Sequence, residues 1–579
     1  MNTFFDGPFE NSLFSEKRWK HKSVMVIVPH QDDEINLAGA TIRNLVDHGI
    51  TVYILFCITC DLLEPPAVRV AEGIRSCRLL GVPDENILFL GYCNEPKVNS
   101  DLAFYHVPDD TVIISSRGET ATYGMPDKPE WCWLMHKTHR AFSRGNFRND
   151  IADVLLTLTP DLIFAVDFDR HPDHRAVSLL FEEAVGTILQ RPDNTYFPEI
   201  YKGFAYNGSY LGPRDFYANL NICGEVKAEG SFSNNLAFDT DFPPYNWNER
   251  VRLPLPRETV SRTLNGNFLY ASVRAHFSQG LLHNAKRIFN SDQVFWRRRT
   301  DAVSYKANFT VSSGNASYLN DFKLADTNNI LALPASFDTG TWVPDQDDDK
   351  KEVTITFRQP VEIHCIALYG NAEESSRVLG GTITLSSGAV LPFGPLQKGA
   401  KANYINLEEP VRVSRIIVRI TKWEGAAAGL TEIQAYAHRR PETMIKIVKL
   451  MIRDTFAYDY WIQNRKELSL QLYCYDSSGV STYESDIPSG YKLICIDRKN
   501  YTVNGLTLIP GPEFKQAILR IESVSDPSLY DQIVIRKISF LTFAKLKLTQ
   551  GLDVIMNRLE YVAKDKYYDW FLKEKQIKL

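Results

Sequence analysis

Short apolar runs that alternate with helical patterns over the first 300 or so residues predict an α/β Rossmann-like domain with a parallel sheet. Short, alternating, β-branched segments beyond Tyr305 predict two β-sandwich domains, and a Lys-, Tyr- and Leu-rich stretch near the end predicts a C-terminal helix. The chain has 579 residues, enough for about three or four domains. The boundaries are read at 1–305, 306–438 and 439–579.

Ser23–Val28 is a short apolar run, as a strand buried on both faces is. Ile35, Ala38, Ile42, Leu45 and Val46 then share one helical side, and Gly49 stops that helix. Thr51–Phe56 is the next strand, Pro65–Leu80 a helix closed by Gly81, and Asn86–Leu90 a third strand. Asn94–Arg148 has little periodicity and many Gly, Pro and aromatic residues, which reads as long loops over a site. Asn149–Leu158 is helical until Pro160 breaks it. Asp161–Val166 is another buried strand, followed by a helix through Leu189. Sheets of this kind place their chemistry beyond the carboxyl ends of the strands.

From Asn308 to Ala437 the strand signals are Val353–Phe357, Ile366–Tyr369, Thr382–Leu385 and Arg415–Ile420. The charge run Asp345–Glu352 between them reads as a solvated loop. His438–Pro441 marks a boundary, after which Ser469–Cys474, Tyr491–Ile496, Ala517–Glu522 and Gln532–Arg536 alternate again. A helix follows from about Leu552 to Lys575. It is expected to dock on its own domain, with a position on a membrane surface as the alternative.

The net charge of -5, from 65 basic and 70 acidic residues, leaves no electrostatic footprint for nucleic acid. Nine cysteines are scattered without framework spacing, which fits a reducing compartment. Val24–Val28, the first apolar run, is too short for a signal sequence, and no stretch approaches the roughly 18 apolar residues of a membrane span. A cytoplasmic protein without a transmembrane segment is expected. Neither a Gly-x-Gly-x-x-Gly fingerprint nor a Gly-Lys-Ser/Thr phosphate loop is present, so a nucleotide-cofactor enzyme or a P-loop ATPase finds no support.

Two motifs carry chemistry. Pro29-His30-Gln31-Asp32-Asp33-Glu34 follows the first strand directly, and His171-Pro172-Asp173-His174 follows the strand Asp161–Val166. A hydrolytic zinc site needs about three nitrogen and oxygen ligands and one open position, and His30, Asp33 and His174 supply that set. Asp32, adjacent but not needed as a ligand, is then the candidate general base. His171 is placed to stabilise an oxyanion or protonate a leaving amine, with Asp173 orienting its ring. Taken singly, the first motif also reads as a helix cap through Asp32 or Asp33, and the second as a turn. Their occurrence at two strand ends of one sheet favours the metal reading. Cys57-x-x-Cys60 has redox spacing but no second pair, and packing is its simpler explanation. Tyr123, within the expected lid, is placed either to hydrogen-bond substrate or to pack the lid.

These motifs resemble those of the LmbE-like, or PIG-L, N-acetylglucosaminyl deacetylases, whose usual first motif is Ala-His-Pro-Asp-Asp-Glu. Here Pro29 replaces the Ala and Gln31 the Pro, while the second motif matches fully. Arg69-x-x-Glu72, leading through Ser76 to Leu80-Gly81-Val82, and His276-x-Ser278-Gln279 are weaker points of resemblance. The likeness spans about residues 20–300. It implies His30, Asp33 and His174 as metal ligands, Asp32 as base, His171 with Asp173 as oxyanion or proton-donating pair, and Arg69 as substrate-binding. Residues 308–437 resemble a discoidin, or coagulation-factor type C, module through Ser312-Ser313, Trp342, Val353–Phe357 and Glu432–Tyr436. That likeness implies glycan binding, with Trp342 and Trp423 as candidate stacking residues and core packing as the alternative for each.

The expected function is zinc-dependent hydrolysis of the acetamide of an N-acetylated amino sugar or its conjugate, with one Zn²⁺ per catalytic domain and other divalent transition metals as substitutes. The alternatives are a metal-dependent amidase on another acyl conjugate and a catalytically silent glycan-binding protein. The expected partners are an amino-sugar or glycoconjugate substrate and further glycan on the β domains, with oligomerisation open.

Overall fold

In the computed structural model, described residues are 19–62, 65–94, 104, 107–167, 171–205, 211–214, 221–223, 251–254, 268–281, 292–324, 340–371, 376–397, 401–438, 447–452, 460–461, 467–475, 481–484, 486–497, 499–528, 530–542 and scattered positions from 544 to 563.

The first region runs β1 (Ser23–Val28), α1 (Asp33–Asp47), β2 (Thr51–Ile58), α2 (Pro66–Leu79), β3 (Ile87–Tyr92), α3 (Trp131–His136), α4 (Arg144–Leu158), β4 (Leu162–Val166), α5 (Pro172–Leu189) and β5 (Glu199–Gly203). A ribbon of β6 (Leu211–Arg214) and β7 (Asn221–Cys223), then β8 (Val251–Pro254), α6 (Phe268–Ala275) and β9 (Asp292–Arg298) complete it. The sheet order is β3-β2-β1-β4-β5-β9-β8. Strands β3 to β5 pair in parallel, and β9 and β8 join antiparallel. The order reverses between β1 and β4, and a crevice opens beyond the carboxyl ends of strands at such a point.

Alternation along β1 divides the core. Val24, Val26 and Val28 face a cluster with Ile35, Ile42 and Leu45 of α1 and Leu269 and Val273 of α6. Met25 and Ile27 face the opposite cluster with Ile151 and Leu155 of α4 and Val177 and Leu180 of α5. Both faces are therefore covered, which is why the parallel strands read as continuous apolar runs.

The segment expected to be loops holds more helix. Glu130 caps α3 by accepting from the backbone N–H of Cys132 and Trp133, and Ser143 caps α4 by accepting from Asn146 N at 3.3 Å. The α4 helix thus starts before the expected Asn149, because Ser143 supplies a starting signal that apolar periodicity does not register.

The second region is a six-stranded sheet. It contains β10 (Asn308–Val311), β11 (Glu352–Gly370), β12 (Arg377–Leu385), β13 (Val390–Phe393), β14 (Asn403–Glu424) and β15 (Leu430–Tyr436). Trp342 lies fully buried in its core, its Nε1 donating to Ser313 O at 2.7 Å. That removes Trp342 from the stacking candidates. Trp423 is 46% exposed, with Lys351 Nζ 4.9 Å from its ring centroid. The charge run folds on itself: Ser313 donates to Asp348 at 2.6 Å, and Lys351 Nζ donates to the carbonyls of Asp345, Gln346 and Asp348.

The first two regions share one apolar cluster, in which Phe322, Leu324, Ala367 and Tyr436 join residues of α5. Buried Lys323 pairs with Glu183 of α5 at 3.2 Å. The third region holds β16 (Ile447–Ile452), β17 (Tyr460–Trp461), β18 (Leu468–Tyr475), β19 (Ser481–Glu484), β20 (Tyr491–Cys495), β21 (Tyr501–Asn504), β22 (Thr507–Pro510), β23 (Gln516–Ser523) and β24 (Tyr530–Lys537). They form two sheets around a common cluster of Leu470, Leu508, Leu519 and Ile535. Much of the expected C-terminal helix lies outside the described residues; those described between 552 and 563 are helical. Among the described residues no helix is long and apolar enough to cross a membrane.

Candidate metal centre

The turn after β1 is closed by Asp32 N and Asp33 N, which donate to His30 O at 3.1 and 3.2 Å. Gln31, fully buried, donates from Nε2 to Ile58 O at 2.7 Å and so fastens the turn to the end of β2. A tertiary bond here takes over the role of a ring-fixed φ. Helix α2 comes close because residue 73 is glycine: a Cβ there would lie 2.8 Å from the Gln31 Cβ.

Asp32 stands at the N-cap of α1, yet its side chain makes no capping bond. Its Oδ1 accepts from Arg69 Nη2 at 3.0 Å instead. Arg69 is 4% exposed, so it points inward to the site rather than out from the helix surface. The capping explanation of Asp32 is thereby excluded.

Asp33 begins α1 with its carboxylate buried. Its Oδ2 accepts from His30 N at 3.1 Å and lies 3.0 Å from His30 Nδ1 and 3.1 Å from His174 Nε2. His174, fully buried, comes from the first turn of α5 beyond β4. Ligand atoms of His30, His171 and His174 lie within 4.8 Å of one another, as do those of His30, Asp32 and Asp33. Both motifs thus meet where the strand order reverses.

Burial opposes ionisation of Asp33, but His174 and His30 outweigh it and hold the carboxyl well below its usual range. Burial alone would lower the His30 pKa; hydrogen bonds to Asp173 and Asp33 dominate and raise it to about 9. A proton on His30 compensates the buried Asp33 carboxylate, a charge balance that a bound cation would also supply. Two nitrogens and one oxygen at this spacing fit a divalent transition metal.

His171 caps α5, its Nδ1 accepting from Asp173 N at 3.2 Å, so the turn explanation of the second motif is realised alongside the cluster. Asp173 was expected to orient His171. Its Oδ2 is 3.7 Å from His171 Nδ1 but 2.8 Å from His30 Nε2, and it accepts from Asn94 Nδ2 at 2.7 Å. The physical reason is that His171 Nδ1 is engaged with the helix N-terminus.

Asn94 and Asp61 lie beside the cluster, and the sequence motifs did not reveal them. Asn94 lies just past β3 and Asp61 just past β2, and Asn94 N donates to Asp61 Oδ1 at 3.1 Å. Position after a strand end was the available signal. Tyr123 donates to Asp61 Oδ2 at 3.1 Å and accepts from Thr59 Oγ1 at 3.3 Å. Burial, the leading cause, raises the Asp61 pKa. Gly91, at φ +79°, lets the lid backbone lie against β3, since a Cβ there would sit 2.5 Å from Tyr123 O. Cys57 and Cys60 are buried free thiols, and burial pushes Cys60 up to about 12.

The weaker sequence elements meet behind the site. His276 Nε2 is 2.8 Å from Glu34 Oε1, which also accepts from Ser76 Oγ at 2.8 Å. Glu72 accepts from Ser278 N at 2.9 Å and from Ser278 Oγ at 2.5 Å. These pairs tie α1 and α2 to the segment after α6.

Residues 25–185, which carry both motifs, match the PIG-L family, GlcNAc-PI de-N-acetylase. Residues 302–436 match a domain of unknown function (DUF7402). No curated protein matches the chain significantly. Among solved structures, N,N'-diacetylchitobiose deacetylase from Pyrococcus horikoshii, complexed with its inhibitor MPG, is 23% identical with a TM-score of 0.22. The match covers 36% of this chain and 66% of that one, just under two thirds of its length. A conserved protein from Thermus thermophilus is 22% identical, over 33% of this chain and 71% of that chain, with a TM-score of 0.22. The family 32 CBM from C. perfringens NanJ, in complex with galactose, is 11% identical over 23% of this chain and 94% of that chain, with a TM-score of 0.18.

Proposed function

We propose that the chain is a zinc-dependent N-deacetylase that hydrolyses the acetamide of an N-acetylated amino sugar or its conjugate. The observation that carries the reading is the meeting of His30 Nδ1 and His174 Nε2 on Asp33 Oδ2, 3.0 and 3.1 Å away, with Asp32 grouped with His30 and Asp33. The sugar part rests on the PIG-L match of residues 25–185.

His30, Asp33 and His174 would hold the metal. When bound, such an ion supplies Lewis acidity and brings the pKa of water toward neutrality. Asp32, oriented by Arg69 at 3.0 Å, takes the proton from the attacking water at its carboxylate. His171, a third exposed on its ring, faces the reacting group and delivers a proton to the departing amine. Asp173 and Asn94 fix the His30 ring through the 2.8 and 2.7 Å contacts. Arg69, Asn94, Asp61 and Tyr123 place further polar groups beside the cluster, suited to a hydroxyl-rich substrate. The amide C–N bond breaks, giving acetate and a free amine. In the same reading residues 306–438 dock glycan through exposed Trp423 rather than Trp342.

The test is acetate release by zinc-loaded protein from a panel of N-acetylated sugars and sugar conjugates. Release is expected, and chelator and Asp32→Ala should each abolish it. No release from any member, with zinc confirmed bound, would overturn the assignment.

A further inference from the structure

Every described residue from 540 to 563 is helical and exposed. Within it, Leu541, Leu548, Leu552, Ile555, Leu559 and Val562 are between 47% and 80% exposed. They recur at steps of seven, four, three, four and three residues. That is the repeat of 3.5 residues at which helices wind around one another, with each apolar side chain entering a hole on the facing helix. The expected docking on the protein's own domain is not seen at these positions.

We propose that this helix is a self-association element that pairs with its counterpart in further copies of this chain, as a bundle of three or four helices. In heptad terms Leu552 and Leu559 occupy a positions, and Leu541, Leu548, Ile555 and Val562 occupy d positions. Over Leu552 to Val562, Leu at a with β-branched Ile555 and Val562 at d favours three or four strands over two. The area agrees. Side chains of this size bury roughly 100 Å² each, so two helices alone would bury about 1,200 Å², the lower edge of a stable interface. A helix flanked by two neighbours buries more of its own surface.

Lys545 falls at an a position within the seam, between Leu541 and Leu548. A lysine at a restricts register at some expense of stability. A membrane surface fits less well. The six side chains of the stripe are aliphatic, with exposed Phe540 adjacent to it, and the intervening sequence mixes Asp553, Glu560 and Asp565 with Arg558 and Lys564 rather than presenting a basic face.

Light scattering on the full chain tests the assignment. The expected mass is three to four times the 66.0 kDa of the monomer. Leu552→Asp/Leu559→Asp should give a monomer with an unchanged circular dichroism spectrum apart from the helix. Leu552→Ile/Ile555→Leu/Leu559→Ile places Ile at a and Leu at d, and should shift the mass to twice 66.0 kDa. A monomeric wild-type chain at micromolar concentration would overturn the proposal, as would an oligomer that survives the double Asp variant. A monomer that sediments with anionic phosphatidylserine vesicles would assign the stripe to a lipid surface instead. None of these readouts depends on the deacetylase assignment.

Discussion

Asp32→Asn separates catalysis from structure. The substitution keeps size and one acceptor oxygen while removing the charge. Because the Asp32 side chain makes no capping bond to α1, the stabilisation ordinarily lost with an N-cap is not at stake. What changes in the fold is the bond to buried Arg69, 3.0 Å away, which becomes neutral at the acceptor. A charge-assisted bond is about twice as strong as a neutral one, so the stability loss is about 1 kcal/mol. Loss of a general base costs about 10²–10⁴-fold in rate, equivalent to roughly 2.7–5.5 kcal/mol of barrier. The assay pairs acetate release, as kcat/KM on metal-loaded protein, with urea unfolding of the same preparations. A rate loss below tenfold, or a stability loss large enough to explain the inactivity, would refute Asp32 as the proton acceptor.

Three further outcomes follow from the same geometry. His174→Ala removes a fully buried imidazole from the cluster and should weaken zinc binding by more than about 100-fold in calorimetric titration; unchanged affinity would remove His174 from the ligand set. His276→Ala leaves Glu34 buried with the Ser76 hydroxyl, and no basic group among the described residues, as its side-chain partner, and should destabilise the chain by about 3–5 kcal/mol in denaturant unfolding; a neutral result would show that the pair does not brace the site. Burial, with the nearby Glu183 charge, holds the Asp321 carboxyl up at about 7 against the opposing Lys323. The folded chain therefore keeps a proton that the unfolded chain loses from about pH 4 upward, so stability should fall as pH rises from there to 7. Asp321→Asn should flatten that slope; an identical slope would place the titration elsewhere.

Much of the α/β region was legible because its signals are local. Val24–Val28 and Leu162–Val166 read as buried strands since both faces of the sheet are covered, and strand-end position then marked both His-containing motifs. The His/Asp cluster was legible for the same reason: each half of it is a contiguous run of sequence. The start of α4 was missed because its signal lies in a single capping serine.

Sequence by itself determined residue type and period, and with them the strand and helix alternation and the two motifs. Tertiary structure alone decided which distant groups meet. It set Arg69 against Asp32, His276 against Glu34, Ser278 against Glu72 and Asn94 against Asp173. It also turned Asp173 toward His30 rather than toward His171, and buried Trp342 while leaving Trp423 exposed. The physical reason is range. Periodicity and capping act over a few residues along the chain, whereas these contacts join side chains brought together only when the strands pair and the helices pack over them.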